Sequence, residues 1–180
     1  MAGKGKLSLA DVKRAVKDSG RSYIADVDSD HNGATGVWWT ESHVAVKLSG
    51  QRYDSPILKL LASLDIDPTT PTAIDSDLRL DPNGTVPNIG AVIPHKKYHG
   101  PVVDVRRCGT DRLIRESSQY GAVLMFGDGP TCYVQARYVD LAEQSAKVTE
   151  WHVATPLKPI VGYDVDGNTV AVVMPIRMED

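Results

Sequence analysis

The sequence carries none of the common signatures of catalysis. It has no P-loop, no zinc motif, no nucleophile elbow and no spaced carboxylate pair, and its acidic residues are scattered at turns and caps. An enzyme is therefore not expected, and no cofactor or metal is implied. Cysteine is scarce: Cys108 and Cys132 show no metal-ligand spacing, and no histidine pair lies near them at zinc-like spacing. A disulfide between them has no support in the sequence, so the reduced thiols of a cytoplasmic protein are the expectation. No run approaches membrane-spanning length, and the basic start Met1-Ala2-Gly3-Lys4-Gly5-Lys6 leads into no apolar stretch of the kind a secretion signal needs.

Positive charge is not in excess either. The 20 Lys and Arg against 23 Asp and Glu leave a net charge of −3. That does not advertise a nucleic-acid binder and does not exclude one, because the placement of cations matters more than their sum. With 42% hydrophobic and 24% charged residues over 180 positions, the composition is that of a globular protein holding one ordinary domain or two small ones.

What is present begins with the last strand, Val170-Ala171-Val172-Val173-Met174, an apolar run rich in β-branched residues. Pro175 removes a ladder donor and should stop it, leaving Ile176 and Met178 near the surface. Such an ending is either a poorly finished core or one wall of an apolar groove, a role that suits the adaptable thioether of Met.

Upstream, Ser8-Leu9-Ala10-Asp11 is a capping box that opens a helix, and Gly20 closes it. Leu9, Val12 and Val16 form its apolar stripe, while Lys13, Arg14 and Lys17 gather on the other side. Those cations make either a solvated face or a phosphate-tracking one. Strands are predicted over Ser22–Val27 and Val37–Thr40. Between them Asp28-Ser29-Asp30-His31-Asn32-Gly33 resembles the start of a calcium loop, but Trp39 stands where the closing carboxylate belongs; an Asn-Gly turn explains it better. Thr40 to Val46 turns and re-enters a strand, with His43 read as a structural hydrogen-bonder. Ser55-Pro56 starts a second helix that carries Lys59. Leu78–Leu80 reads as a short strand, Asp81–Gly84 as a turn, and His95–Gly100 as a charged linker.

The second half gives a strand at Val102–Val105 and a helix over Asp111–Gln119 with Arg112 and Arg115. A hairpin follows from Ala122–Phe126 and Thr131–Val134, then a helix over Ala136–Ala146 with Arg137 near its start. Closing strands are predicted over Val148–Val153, Ile160–Tyr163 and Val170–Met174. The fold class is α+β, organised as a tandem repeat with helices on one face of antiparallel sheets, divided into domains 1–94 and 95–180.

Several stretches resemble one family in the right order. The ending Val172-Val173-Met174-Pro175-Ile176-Arg177-Met178 is similar to the Val-Val-Met-Pro-Met-Arg ending of bacterial β sliding clamps, the processivity factors of DNA polymerase III. Tyr133 to Asp140 resembles the segment that opens the last clamp helix. Val86 to Pro94 resembles the junction between the clamp's second and third domains, and Thr40 to Val46 its Thr-Asp-Gly-His-Arg-Leu-Ala segment. Pro156 to Ile160 fits the penultimate strand. The resemblance implies DNA-clamp-like domains two and three in a shortened, phage-like form, with 100–132 trimmed.

It further implies a non-enzymatic sliding clamp that takes part in DNA replication. Its apolar groove would receive linear motifs from a DNA polymerase, a clamp loader and other partners. Carried over by position, the groove uses Thr40, Ser42, His43, Ala45, Pro87, Val92, Val172, Met174, Pro175 and Ile176. Duplex DNA would be touched without sequence preference by Lys13, Arg14, Lys17, Lys59, Arg112, Arg115 and Arg137. Two modules per chain suggest a homo-oligomer, a trimeric ring, with no role for a membrane. The alternative is a clamp-like decoy or adaptor that binds the same peptides without encircling DNA. Ser42, Val44, Ala45 and Ile89 depart from the family pattern, and Ala45 in place of a larger Leu should deepen the pocket.

Overall fold

The computed structural model describes residues 6–28, 32–50, 55–108 and 121–176. Local signals set the helices. The Ser8 hydroxyl accepts from the Asp11 N–H at 3.2 Å, and the Asp11 carboxylate accepts from the Ser8 N–H at 3.1 Å. Two donors at the start of α1 (Leu9–Ser19) are thereby satisfied, and Gly20 ends it in the left-handed region at φ 84°. Pro56 opens α2 (Pro56–Ser63), and the Ser55 hydroxyl accepts from the Leu58 N–H. α3 (Ala136–Ala146) follows a strand without a loop and ends at Lys147, itself left-handed.

Among the described residues ten strands form one antiparallel sheet: β1 (Ser22–Val27), β2 (Gly36–Thr40), β3 (Val44–Lys47), β4 (Thr72–Ile74), β5 (Val102–Cys108), β6 (Ala122–Phe126), β7 (Cys132–Gln135), β8 (Glu150–His152), β9 (Ile160–Tyr163) and β10 (Thr169–Val173). Their order is β4-β1-β2-β3-β10-β9-β8-β5-β6-β7. The fold is thus α+β. The last strand lies at the centre, paired with β3 through Ala45↔Val172 and Val44↔Val173 and with β9 on its other side. The position 94/95 therefore does not separate two sheets, since β10 of the second half lies directly beside β3 of the first.

Strand alternation sends Ile24, Trp39, Val44, Val46, Ala171 and Val173 to one face, where α1, α2 and α3 cover them with Val12, Val16, Ile57, Leu60, Leu61 and Leu141. The other face receives Ala25, Val27, Trp38, Ala45 and Val172. Among the described residues the segment around Val86, Ile89 and Ile93, with Ala34, packs against it. One side of the central strands is sealed by a helical layer, and the other is partly roofed by a single length of chain.

The structure departs from the sequence reading in several places. The short strand after α2 is Thr72–Ile74, not Leu78–Leu80. Leu78 has φ 62°, which a strand does not tolerate, and the Asp75 carboxylate accepts the N–H groups of Asp77 and Arg79 to form a tight turn. Leu80 keeps a single bridge to Ile74. β5 runs to Cys108 rather than Val105, because its far half pairs with β6. The expected linker 95–100 is anchored: His99 is buried, its Nε2 donates to the Pro94 carbonyl at 2.6 Å, and its Nδ1 accepts from the Tyr163 hydroxyl. The helix expected over 111–119 lies outside the described residues.

Candidate functional site

The Thr40–Val44 corner shapes the site's first wall. Glu41 is buried, and one oxygen of its carboxylate accepts the N–H groups of both His43 and Val44, the latter at 2.9 Å. This closes the turn between β2 and β3 and fixes Ser42 and His43 at the surface. The imidazole of His43 lies parallel to the Tyr138 ring with centroids 5.2 Å apart, and its Nδ1 sits 3.3 Å from the Glu41 carboxylate. That hydrogen bond pushes the His43 pKa up, against a smaller opposing effect of burial. The floor is made by small β residues that alternation turns away from the helices, Ala45 and Val172 opposite each other.

The second wall is the 86–93 segment. Its short 3-10 turn, Ile89–Ala91, buries Ile89 against the sheet and leaves Val92 58% exposed. Met174, just beyond β10, donates its N–H to the His43 carbonyl at 2.9 Å and leaves its side chain 41% exposed. These walls enclose a groove of about 320 Å³ lined by Thr40, Ser42, His43, Ala45, Pro87, Val92, Val172 and Met174, together with Tyr23, Glu41, Val44, Asn88, Ile89 and Pro159. The lining is largely apolar with a few polar groups at its edge, a combination suited to holding apolar side chains rather than to chemistry.

The structure thus brings the Thr40–Ala45, Pro87–Val92 and Val172–Met174 segments together. Pro175 and Ile176 are not part of the lining. The Ile176 N–H donates instead to the Tyr133 carbonyl at 2.8 Å, tying the chain after β10 to the free edge of β7. Pro159 lies in a stretch that carried the family resemblance, and Asn88 and Ile89 lie in the junction, yet position alone did not assign them to the groove. Glu41 and Tyr23 were missed because a carboxylate beside a turn and a tyrosine in a strand look like ordinary surface.

The helix layer carries the proposed DNA-facing cations. Arg14 and Lys17 are exposed on the side of α1 away from Val12 and Val16, Lys13 is half-buried, and Lys59 is exposed on α2. Arg137 is placed differently. Its guanidinium pairs with Asp18 at 3.0 Å, donates to the Tyr138 hydroxyl and lies over that ring, leaving little charge for a phosphate. Arg14 sits 4.0 Å from Asp11. Arg112 and Arg115 lie outside the described residues, as do Ser29, Asp30 and His31 of the calcium-like loop. Asn32 spends its amide on the Gly167 carbonyl and the Thr169 hydroxyl, joining that loop to the β9–β10 turn. Among the described residues no group of His, Cys, Asp and Glu is arranged to hold a metal ion.

Two other cavities lie away from this groove. One of about 200 Å³ lies between α1 and α3, with Asp11, Arg14, Arg137 and Asp140 on its walls. One of about 400 Å³ beside Lys47 and Lys147 also faces Asp164 and Asp166, so its charges cancel. Among the described residues no helix is long and apolar enough to cross a membrane. No protein-family model, characterised protein or solved structure matches the chain.

Proposed function

We propose that this protein is a clamp-type docking and tethering factor: its groove takes short apolar peptide motifs of a polymerase and its accessory proteins, while its helix layer lies toward duplex DNA. What carries this reading is the convergence of segments around residues 40–45, 87–92 and 172–174 on one apolar groove, on the face opposite the helices. A leucine-sized anchor seated over Ala45 and Val172 would gain about 2 kcal/mol from burial, so two or three anchors supply about 4–6 kcal/mol, a weak contact in the millimolar to tens-of-micromolar range. No covalent chemistry is needed. Tethering works by raising the local concentration of the partner.

The arrangement of strands is also compatible with a repeated module. A helix followed by three strands occurs at α1-β1-β2-β3 and again at α3-β8-β9-β10, and the sheet order β1-β2-β3-β10-β9-β8 is symmetric about the β3–β10 pair. The proposed assembly is a homotrimeric, six-module ring. A second reading, a peptide-binding adaptor that does not encircle DNA, is favoured by one observation: Asp18 and Asp11 offset Arg137 and Arg14 on the layer meant to face phosphate.

Two measurements test these readings. A fluorescently labelled peptide carrying Leu and Phe anchors should bind, and Val92→Asp together with Met174→Ala should weaken it at least about tenfold, since both side chains are exposed and truncation spares the core. Equal affinity in that variant would remove the groove. Light scattering over a range of concentrations separates the assemblies, a stable trimer supporting the ring and a strict monomer the adaptor.

A further inference from the structure

We propose that the groove continues past Pro159 onto a cationic shelf built by Lys97, Tyr98 and Lys158, and that the docked peptide carries a run of carboxylates next to its apolar anchor. The inference rests on the groove reading and specifies the chemistry of its partner.

Pro159 lines the groove, and Lys158 stands next to it, exposed. The Lys158 ammonium lies 5.9 Å from the centre of the Tyr98 ring, and the Lys97 ammonium approaches the same ring at 4.9 Å. His95 packs edge-on against it at 6.5 Å. The fold has thus gathered two ammonium groups far apart in the chain around one aromatic ring that is itself 54% exposed. Like charges held together cost free energy unless a counter-charge is supplied, and among the described residues no ion pair supplies one. Arg107 pairs with Asp140 and Arg137 with Asp18, whereas among the described residues Lys96, Lys97 and Lys158 make no ion pair with a carboxylate, a state they share with exposed lysines such as Lys17 and Lys59. In a chain of net charge −3 this is a local reversal of sign.

The shelf is also rigid. Lys96–Tyr98 form a 3-10 turn that is followed at once by buried His99, held by the Pro94 carbonyl and the Tyr163 hydroxyl. Lysines carried on a fixed turn lose less freedom on binding than those of a mobile loop. A cationic shelf alone would fit a phosphate backbone as well. Continuity with the groove decides for a peptide: a floor of Ala45, Ile89 and Val172 calls for apolar side chains, and the positive edge beside it calls for carboxylates a few residues further along.

The test compares two labelled peptides on the full chain, one with Leu and Phe anchors flanked by Ser and Gly, the other with three aspartates on one flank, each flank tried in turn. At low salt one of the acidic forms should bind about tenfold more tightly, with the gain shrinking as salt is raised. The double variant Lys97→Glu, Lys158→Glu should abolish the gain while binding the neutral peptide as the parent does. Equal affinities for acidic and neutral peptides, with the neutral one still bound, would overturn the shelf and leave the groove standing. Failure of every peptide would overturn both. A single-stranded oligonucleotide that binds in place of the acidic peptide and is lost in the double variant would reassign the shelf to nucleic acid.

Discussion

His43 and His99 each pack against a tyrosine and each brace a wall of the groove, but their surroundings treat the imidazole charge in opposite ways. His43 stands at the edge with its side chain 47% exposed, stacked on Tyr138 and hydrogen-bonded to Glu41, and that bond favours its charged form. His99 is buried behind the 86–94 segment, where desolvation lowers its pKa despite the hydrogen bond to the Pro94 carbonyl. Because a carbonyl only accepts, Nε2 carries the proton and Nδ1 is left to accept from the Tyr163 hydroxyl. One wall is thus set by a carboxylate that welcomes charge, the other by a neutral ring locked between an acceptor and a donor. The first can respond to a ligand; the second is a fixed brace.

The strongest break in this comparison should come from the brace. Gly100 follows His99 at φ 77°, and a Cβ there would lie 2.2 Å from the Val153 carbonyl oxygen, in the backbone just after β8. Gly100→Ala should cost about 3–4 kcal/mol, from left-handed strain and a backbone clash together. A chemical-denaturation midpoint within error of the parent would show that the 95–100 segment is not held as described.

That brace is also where the sequence was least legible. A run of His, Lys and Gly reads as a linker, because the partner that buries His99 is Tyr163, 64 positions away. The turn at Leu78 hid for a similar reason, since only the Asp75 side-chain bonds force its left-handed backbone. By contrast α1, β1, α3 and β9 could be placed almost to the residue. For α1 the limits are written in neighbours, a capping box and a Gly after the last turn, and β9 is a short run buried throughout. Within the groove, Ala45, Val92 and Met174 were found through motif resemblance, whereas Glu41 was not, because its task is to accept two N–H groups of its own turn.

Glu41 gives the next largest effect. Glu41→Ala leaves the His43 and Val44 donors without their acceptor and should cost about 3 kcal/mol; Glu41→Gln keeps an acceptor and should cost about 1 kcal/mol. If the two variants unfold at the same denaturant concentration, the carboxylate is not what closes the turn. Tyr163→Phe should be milder than Glu41→Ala, removing one donor to His99 at about 1 kcal/mol while the ring still packs on His152 at 4.3 Å. No loss at all would mean that the ring, not the hydroxyl, is the brace.

The smallest effect is the most discriminating, because the two histidines should give pH slopes of opposite sign. His43 has a folded pKa raised above 6.5, so its contribution is fully present below 6.5 and is lost as pH rises through the folded value. His99 has a folded pKa below 6.5, so its contribution is present above 6.5 and is lost as pH falls toward the folded value. In the parent protein the two partly cancel. His43→Ala removes one side of the balance, and its stability relative to the parent should worsen as pH falls from 8 toward 5.5. His99→Gln keeps a donor for the Pro94 carbonyl but removes the titration, so its deficit should shrink over the same range. Urea midpoints of both variants, measured at several pH values and subtracted from the parent's, should therefore diverge. Parallel difference curves would mean that Glu41 and the buried Tyr163 pocket do not treat the imidazole charge differently, and the contrast between the responsive wall and the fixed brace would be gone.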